Sequence, residues 1–279
     1  MRAALVALAL LFGGGVVAAQ ELDAKRPIAA LDSVWIEELT WMEVRDALSA
    51  GKTTAIVPTG GIEQNGPYLA TGKHNVVLQG ACEALARTLG DALCAPVLGL
   101  VPEGGIDPPT GHMLFPGTLS LRPETFEAVL EDVSSSLAAH GFRHVILIGD
   151  SGGNQRGMKA VAERLSASWT ETGRAERVHY IPEFYRYDEL IEWMGEELGV
   201  RETENEGLHD DFAITAMMIA VDPEAVRFDQ RVAAGKASIN GVSLEPLEKT
   251  REMGRRLIER RVEETVTAIR KARGEKAGG

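Results

Sequence analysis

Residues 144–155 read HVILIGDSGGNQ, and this stretch decides the fold class. After His144, four apolar residues follow one another without interruption, which is typical of a strand buried on both faces of a sheet. The glycine-rich residues 149–154 predict a short loop, and a helix is predicted to begin at Gln155. A buried strand that runs through a short loop into a helix is the repeating unit of a parallel sheet covered by helices.

The same alternation extends in both directions from this stretch. Residues 40–43 have the form of a capping box, so a helix is predicted from there to Gly51, a glycine suited to a left-handed helix end. Further helices are predicted at 76–89, 123–140, 155–167, 188–198, 210–220 and 244–273, and further strands at 53–57, 95–98 and 178–181. No run of Pro, Gly and Ser and no block of like charge divides the middle of the chain. We therefore predict one α/β domain, residues 20–279, with a mostly parallel central sheet.

The first residues have the pattern of a secretory signal peptide, residues 1–19. Arg2 precedes the apolar stretch Ala3–Phe12, which is shorter than the roughly 20 residues that span a bilayer. The small residues at 17–19, read VAA, suit cleavage before Gln20. A buried N-terminal helix is the alternative. We expect a protein that is exported to the periplasm or secreted, with no later segment that could span a membrane.

Charge and cysteine content narrow the partners and the chemistry. The formal net charge is −12, and removal of residues 1–19 takes away one basic residue and brings it to −13. Such an acidic chain is not expected to bind nucleic acid. Cys82 and Cys94 could form a disulfide in an oxidising compartment. Because Cys82 falls in a helical pattern and Cys94 begins a strand-like run, we expect two packed thiols instead.

Ligands of parallel sheets bind beyond the carboxyl ends of the strands, which selects the loops 58–75, 99–117, 149–155 and 205–211. In the first loop, Glu63 and His74 offer a carboxylate and an imidazole, a mixed donor set that suits Zn, Mn or Fe. A solvated Glu and a surface His are the alternative. In the second loop, which is rich in Pro and Gly, His112 either points into a pocket or hydrogen-bonds its own loop.

The third loop satisfies G-x-S-x-G around Ser151, in the strand–turn–helix context of a nucleophile elbow. A serine hydrolase would need His209 with Asp210 or Asp211, and the usual order of acid before histidine is then reversed. Asn154 can cap the helix or bind a polar group of a substrate. In the fourth loop, the two aspartates favour a helix N-terminus, and His209 lies just outside that helix, where a general base could act.

Four motifs in this order resemble the creatininase family. Residues 63–69, EQNGPYL, resemble the family's E-Q-H-G-P-H-L, and residues 112–118, HMLFPGT, match its H-x-x-F-P-G-T. Residues 149–154 stand where the family has N-G-H-G-G-N, and residues 209–216 stand where it has H-A-G-E-x-E-T-S. The resemblance implies a three-layer α/β/α amidohydrolase, often homo-oligomeric. It also implies that a water activated between two divalent ions opens the C–N bond of a small cyclic or linear amide.

The resemblance also carries over residue by residue. Glu63 stands at the family's first carboxylate ligand and His209 at its active-site histidine. The other ligand positions differ from the family: Asn65 and Ser151 stand where it has histidines, His74 where it has a bridging aspartate, and Ile214 where it has a glutamate. A neutral imidazole does not ordinarily bridge two ions as a carboxylate does. We therefore expect one ion rather than two.

These residues predict three alternative functions. In the first, Glu63 and His74 hold one Zn, Mn or Fe ion with help from Asp150 or Asp211, His209 moves protons and Asn154 orients the amide. In the second, the ion and catalysis are lost and the pocket binds a small polar ligand. Ser151 at a ligand position of the family favours this second function. In the third, Ser151 is the nucleophile of a serine hydrolase.

Overall fold

The computed structural model of the protein describes residues 21–275, so the predicted signal peptide lies outside the described residues. Four strands form one parallel sheet: β1 (Thr54–Thr59), β2 (Ala92–Cys94), β3 (His144–Gly149) and β4 (Arg177–Tyr180). Their spatial order is β2-β1-β3-β4, with Thr54 of β1 opposite both Ala92 and His144. All three pairings are parallel, which confirms the predicted sheet type.

One helix precedes the first strand, and the others connect the strands or follow them. Their bounds are α1 (Trp41–Ser49), α2 (Lys73–Leu89), α3 (Pro123–Ala139), α4 (Gln155–Glu171), α5 (Tyr187–Glu197), α6 (Phe212–Val221), α7 (Phe228–Ala233) and α8 (Leu247–Ala272). A small antiparallel ladder of β5 (Ser238–Ile239) and β6 (Val242–Ser243) precedes α8. The capping box predicted at Thr40 and Glu43 is present at the start of α1, with both of its hydrogen bonds. None of the helices within residues 21–275 is long and apolar enough to cross a membrane.

Successive residues of the central strand β3 face opposite sides of the sheet and place a helical layer on each. Ile146 and Ile148 pack into a core that includes residues of α2, α6 and α8. Val145 and Leu147 pack into a second core, with residues of α3 and α4. This alternation explains why the run at 145–148 contains no polar residue, since both faces of the strand are buried. The chain is thus an α/β/α sandwich, as the sequence predicts.

Three differences from the sequence predictions have local causes. The strand predicted at 95–98 lies instead at Ala92–Cys94, because Pro96 has no N–H to continue the ladder and Leu98 forms only an isolated bridge with Thr59. Helix α2 begins at Lys73, three residues before the predicted start at 76. The short elements α7, β5 and β6 carry no periodic signal long enough to predict them.

Cys82 and Cys94 form a disulfide, so the prediction of two packed thiols is wrong. Helix α2 folds back over β2, the strand that follows it, and brings the two Cα atoms to 6.3 Å, within the range that a disulfide bridges. The bond closes a short loop between the two elements. The prediction failed because a helix and a strand that follow one another in the chain can still pack side by side, with their cysteines in contact.

Candidate functional site

The four loops selected from the sequence converge on one cavity of about 400 Å³ beyond the carboxyl ends of the strands. Tyr185, in the segment after β4, completes its wall. The polar side chains that the four loops contribute to its lining are, in chain order, Glu63, His74, Glu103, His112, Asp150, Ser151 and His209. Because α2 begins at Lys73, both Lys73 and His74 lie in its first turn, beside the end of β1.

His74 is held between two carboxylates. Its Nε2 lies 2.9 Å from Oε1 of Glu63, and its Nδ1 lies 2.7 Å from Oδ2 of Asp150. Burial alone would lower the pKa of His74, but the hydrogen bonds to Asp150 and Glu63 raise it to about 9. The ring is therefore an imidazolium at neutral pH, with no lone pair free for an ion. In this arrangement His74 orients Glu63.

Both carboxylate oxygens of Asp150 contact charged side chains. Its Oδ1 lies 2.5 Å from Nη2 of Arg261, which comes from α8 and is itself buried. The same nitrogen donates to the carbonyl of Phe184 at 2.8 Å. Burial alone would raise the pKa of Asp150, but Arg261 and His74 lower it. Asp150 thus links α8 to the cavity through His74.

Glu63 is almost completely buried, with 2% of its surface exposed. Nζ of Lys73 lies 3.0 Å from its Oε1 and also donates to the carbonyl of His209 at 3.2 Å. Burial alone would raise the pKa of Glu63, but the hydrogen bond from His74 and the charge of Lys73 lower it. The carboxylate is therefore ionised, and two cations contact it.

Three donor atoms from three loops face one point in the cavity. Nε2 of His112 lies 3.3 Å from Oε2 of Glu63, Nε2 of His209 lies 3.5 Å from Oε1, and donor atoms of the three residues lie within 4.8 Å of one another. Burial and the charge of Lys73 lower the pKa of His209 to about 4, so its ring is neutral and can donate a lone pair. One carboxylate and two imidazoles are a donor set that suits Zn, Mn or Fe.

Glu103 is a site residue that the sequence analysis missed. It is 6% exposed, and its Oε2 lies 3.4 Å from the hydroxyl of Ser151. Burial and the nearby charge of Glu63 raise the pKa of Glu103 to about 8. The signal that could have found it is a carboxylate within the rigid loop of prolines and glycines that also carries His112.

A sequence model of the creatininase family, described as creatinine amidohydrolase, matches residues 37–269. This chain belongs to the creatininase family. The match includes all four loops of the cavity, and the family is one of metal-dependent amidohydrolases.

Individual creatininases are similar to this chain in sequence and in structure. A creatinine amidohydrolase of Pseudomonas putida is 31% identical over 116 residues, which are 42% of this chain and 44% of that protein. The aligned part thus spans less than half the length of this relative. A solved creatininase designated Mn superimposes with a TM-score of 0.64 at 24% identity, covering 86% of this chain and 98% of that one. A mutant creatininase complexed with creatine gives 0.62 at 23% identity, with the same two coverages. At these identities the two structures establish the shared fold.

Two of the residues predicted for the creatininase site lie elsewhere. Asn154 is fully buried, and its amide nitrogen donates to the carbonyls of Thr59 and Gly60 at 3.0 and 2.8 Å, so it fastens the third loop to the end of β1 and the start of the first loop. Asp211 caps α6 through the N–H of Ile214 and accepts a hydrogen bond from Tyr187. Neither side chain lines the cavity. Asp211 therefore takes no part in the predicted ligand set, whereas Glu63, His74 and Asp150 lie together at the cavity, with the ring of His74 between the two carboxylates.

Ser151 lines the cavity but lacks the partners of a catalytic serine. Its φ of −102° and ψ of 144° are ordinary extended values, whereas a nucleophile elbow is a strained turn. Within the described part of the chain, its hydroxyl bonds to Glu103 and not to a histidine. Asp210 pairs with Arg231 at 3.0 Å, and Asp211 bonds Tyr187. The geometry thus offers no Ser–His–Asp triad among these residues.

Proposed function

We propose that this chain hydrolyses the C–N bond of a small cyclic or linear amide, with one divalent Zn, Mn or Fe ion bound in the cavity. The observation that carries the proposal is the convergence of Glu63, His112 and His209, whose donor atoms lie within 4.8 Å of one another. The cavity of about 400 Å³ has room for a small amide beside them. The family and its fold support this reaction class.

An ion bound by these residues would polarise the amide carbonyl and lower the pKa of a bound water. Lys73 and His74 hold Glu63 in place, and Arg261 and Asp150 hold His74 in turn. His209 thereby moves from the proton-transfer role predicted from the sequence to a ligand role, and His112 joins it. The hydroxyl of Ser151, at the cavity wall, is available to hydrogen-bond a polar group of the substrate.

Metal content and hydrolysis, measured together, test this proposal. The parent protein is expected to carry close to one ion per chain, and His112→Ala is expected to lose both the ion and amide hydrolysis, by tenfold or more. His140→Ala is the matched control, because His140 is exposed at the end of α3, and it is expected to keep both. A parent protein that hydrolyses small amides equally well after the ion has been removed would contradict the proposal.

A non-catalytic, ligand-binding protein is the second candidate. It is favoured by the two cations on Glu63, since Lys73 and His74 already offset its charge without an ion. Such a protein would bind a small polar ligand, measured by calorimetry, with an affinity that chelators do not change. The serine hydrolase is not supported by the geometry of Ser151.

We also propose that the protein is exported, to the periplasm or out of the cell. The pattern at residues 1–19 supports this location, and so does the disulfide, because disulfides persist in oxidising compartments. Expression of the full chain in a Gram-negative host should give a periplasmic product that starts at Gln20. An intact N-terminus in the cytoplasmic fraction would exclude export.

A homo-oligomer is proposed as well. Leu114 and Phe115 of the second loop are 66% and 50% exposed, and Leu119 just after that loop is 51% exposed; a second copy could cover these apolar side chains. Light scattering should then give a mass that is a multiple of that of the mature chain. A monomer at high concentration would exclude this proposal.

A further inference from the structure

Glu103 differs from the other two buried carboxylates of the cavity in having no cationic partner among the described residues. Asp150 contacts Arg261 and His74, and Glu63 contacts Lys73 and His74. Glu103 contacts the hydroxyl of Ser151 through Oε2, whereas its Oε1 is buried and without a hydrogen-bond partner in the described chain. A buried carboxylate with one long hydroxyl contact and no counter-charge is unstable unless it takes up a proton or binds a cation.

The balance of charge around the proposed ion also indicates a role for Glu103. Glu63 is the only acidic member of the set that also contains His112 and His209, and its charge is already offset by Lys73 and His74. A divalent ion held by these three residues alone would lie beside two cations with no anion left to balance it. Glu103 lines the same cavity and, in its ionised form, would supply the missing negative charge.

The backbone around Glu103 fixes its position. Its N–H bonds Oγ of Ser120 at 3.0 Å, and the same hydroxyl donates to the carbonyl of Gly104 at 2.8 Å. Its Oε1 lies so close to Gly61 that a Cβ there would come within 2.1 Å of it. The carboxylate therefore rests directly on the first loop, beside Glu63 and His74, and a side chain at position 61 would force it to move.

We propose that Glu103 is a ligand of the divalent ion, together with Glu63, His112 and His209. The inference rests on the proposed function, because it concerns the ion of that same site. It assigns the second loop two ligands, His112 and Glu103. It also explains why a carboxylate lies buried next to another carboxylate.

Titration of the metal-free protein with Co²⁺ tests the inference without measuring activity. Glu103→Gln keeps the size of the side chain and removes its charge, so we expect Co²⁺ to bind at least tenfold more weakly. The visible absorption of bound Co²⁺, which reports its ligands, should change as well. Asp107→Asn is the matched control, because it removes the same charge from an exposed position of the same loop and should leave affinity and spectrum unchanged.

The outcomes separate this inference from the proposed function. Equal affinity and identical Co²⁺ spectra for the parent protein and Glu103→Gln would overturn the role of Glu103 and leave the ion with its three other ligands. A parent protein that binds no Co²⁺ would overturn the ion itself and the inference with it. If Glu103→Gln fails to fold, Glu103→Asp keeps the charge on a shorter side chain. Its affinity should then fall between that of the parent protein and that of Glu103→Ala, and an affinity equal to the parent's would overturn the inference.

Discussion

At the scale of single residues, charged contacts join the C-terminal helix to the cavity. Arg261 contacts Asp150, Asp150 contacts His74, and His74 contacts Glu63, all of them buried. Loss of one member of a buried ion pair leaves an uncompensated charge, which costs more than the pair itself contributes. Arg261 therefore matters for stability as well as for the position of Glu63.

Replacement of Arg261 by Met is expected to lower the free energy of unfolding by about 3–5 kcal/mol, because Asp150 would be left buried with one partner fewer. Arg255→Met is the matched control, since Arg255 is more exposed and pairs with Glu252 within α8. A surface pair of this kind contributes about 0–1 kcal/mol. Urea unfolding of both variants measures the difference, and equal midpoints would contradict this account.

The sequence identified some of these residues and missed others for a physical reason. Glu63, His74 and His209 were found because they lie in polar loops that follow predicted elements. Lys73 and Arg261 were missed because a Lys or Arg is usually a solvent-exposed side chain, and only the folded structure shows the buried carboxylate that each contacts. Asn154 and Asp211 were placed in the correct loops. The neighbouring sequence does not show, however, that their side chains form hydrogen bonds with backbone groups and not with a substrate or an ion.

At the scale of elements, the disulfide ties α2 to β2. Helix α2 carries Lys73 and His74 in its first turn, whereas Cys82 lies further along it. The bond closes a loop with a sequence separation of 12 residues, and a loop of this size contributes about 2–3 kcal/mol by restricting the unfolded chain.

A Cys82→Ala, Cys94→Ala double variant is expected to unfold with a free energy about 2–3 kcal/mol lower than that of the parent protein. The parent protein should show the same loss when it is unfolded under reducing conditions, whereas the double variant should not respond to reductant. A parent protein that titrates two free thiols after denaturation without reductant would contradict the pairing.

The elements themselves were largely predictable, whereas their order in the sheet was not. Strand β3 and helices α3 and α8 follow from long apolar or periodic runs. Strand β2 has three residues, and α7 has six, so their local signals are weak. The order β2-β1-β3-β4 depends on contacts between residues far apart in the chain, which periodicity does not contain.

At the scale of the whole molecule, two neighbouring strands carry a pH-sensitive pair of histidines, His144 at the start of β3 and His179 in β4. Nδ1 of His144 lies 3.1 Å from Nε2 of His179, on neighbouring strands. Burial, and then the charge of His144, lower the pKa of His179 to about 4. Both rings are therefore neutral in the folded protein at neutral pH.

A neutral His179 makes stability depend on pH in a defined direction. The unfolded chain takes up a proton near pH 6.5, before the folded protein does, so stability is complete above that pH and decreases as the pH falls from about 6.5 to 4. We expect His179→Gln to reduce this decrease by about 1 kcal/mol, because the ring is only partly buried. Urea unfolding of both proteins at pH 7, 6, 5 and 4 measures how the free energy of unfolding depends on pH. If this dependence is the same for the variant and the parent protein, the role given to His179 is contradicted.

The central claim is that the cavity binds one divalent ion, and anomalous X-ray scattering from crystals grown with Mn²⁺ or Zn²⁺ tests it most directly. The account predicts a single anomalous peak in the cavity, about 2.0–2.2 Å from donor atoms of Glu63, His112 and His209. His74 should still bridge Glu63 and Asp150. Two peaks, or a peak bound by His74 in place of His112, or no peak in the cavity would contradict it.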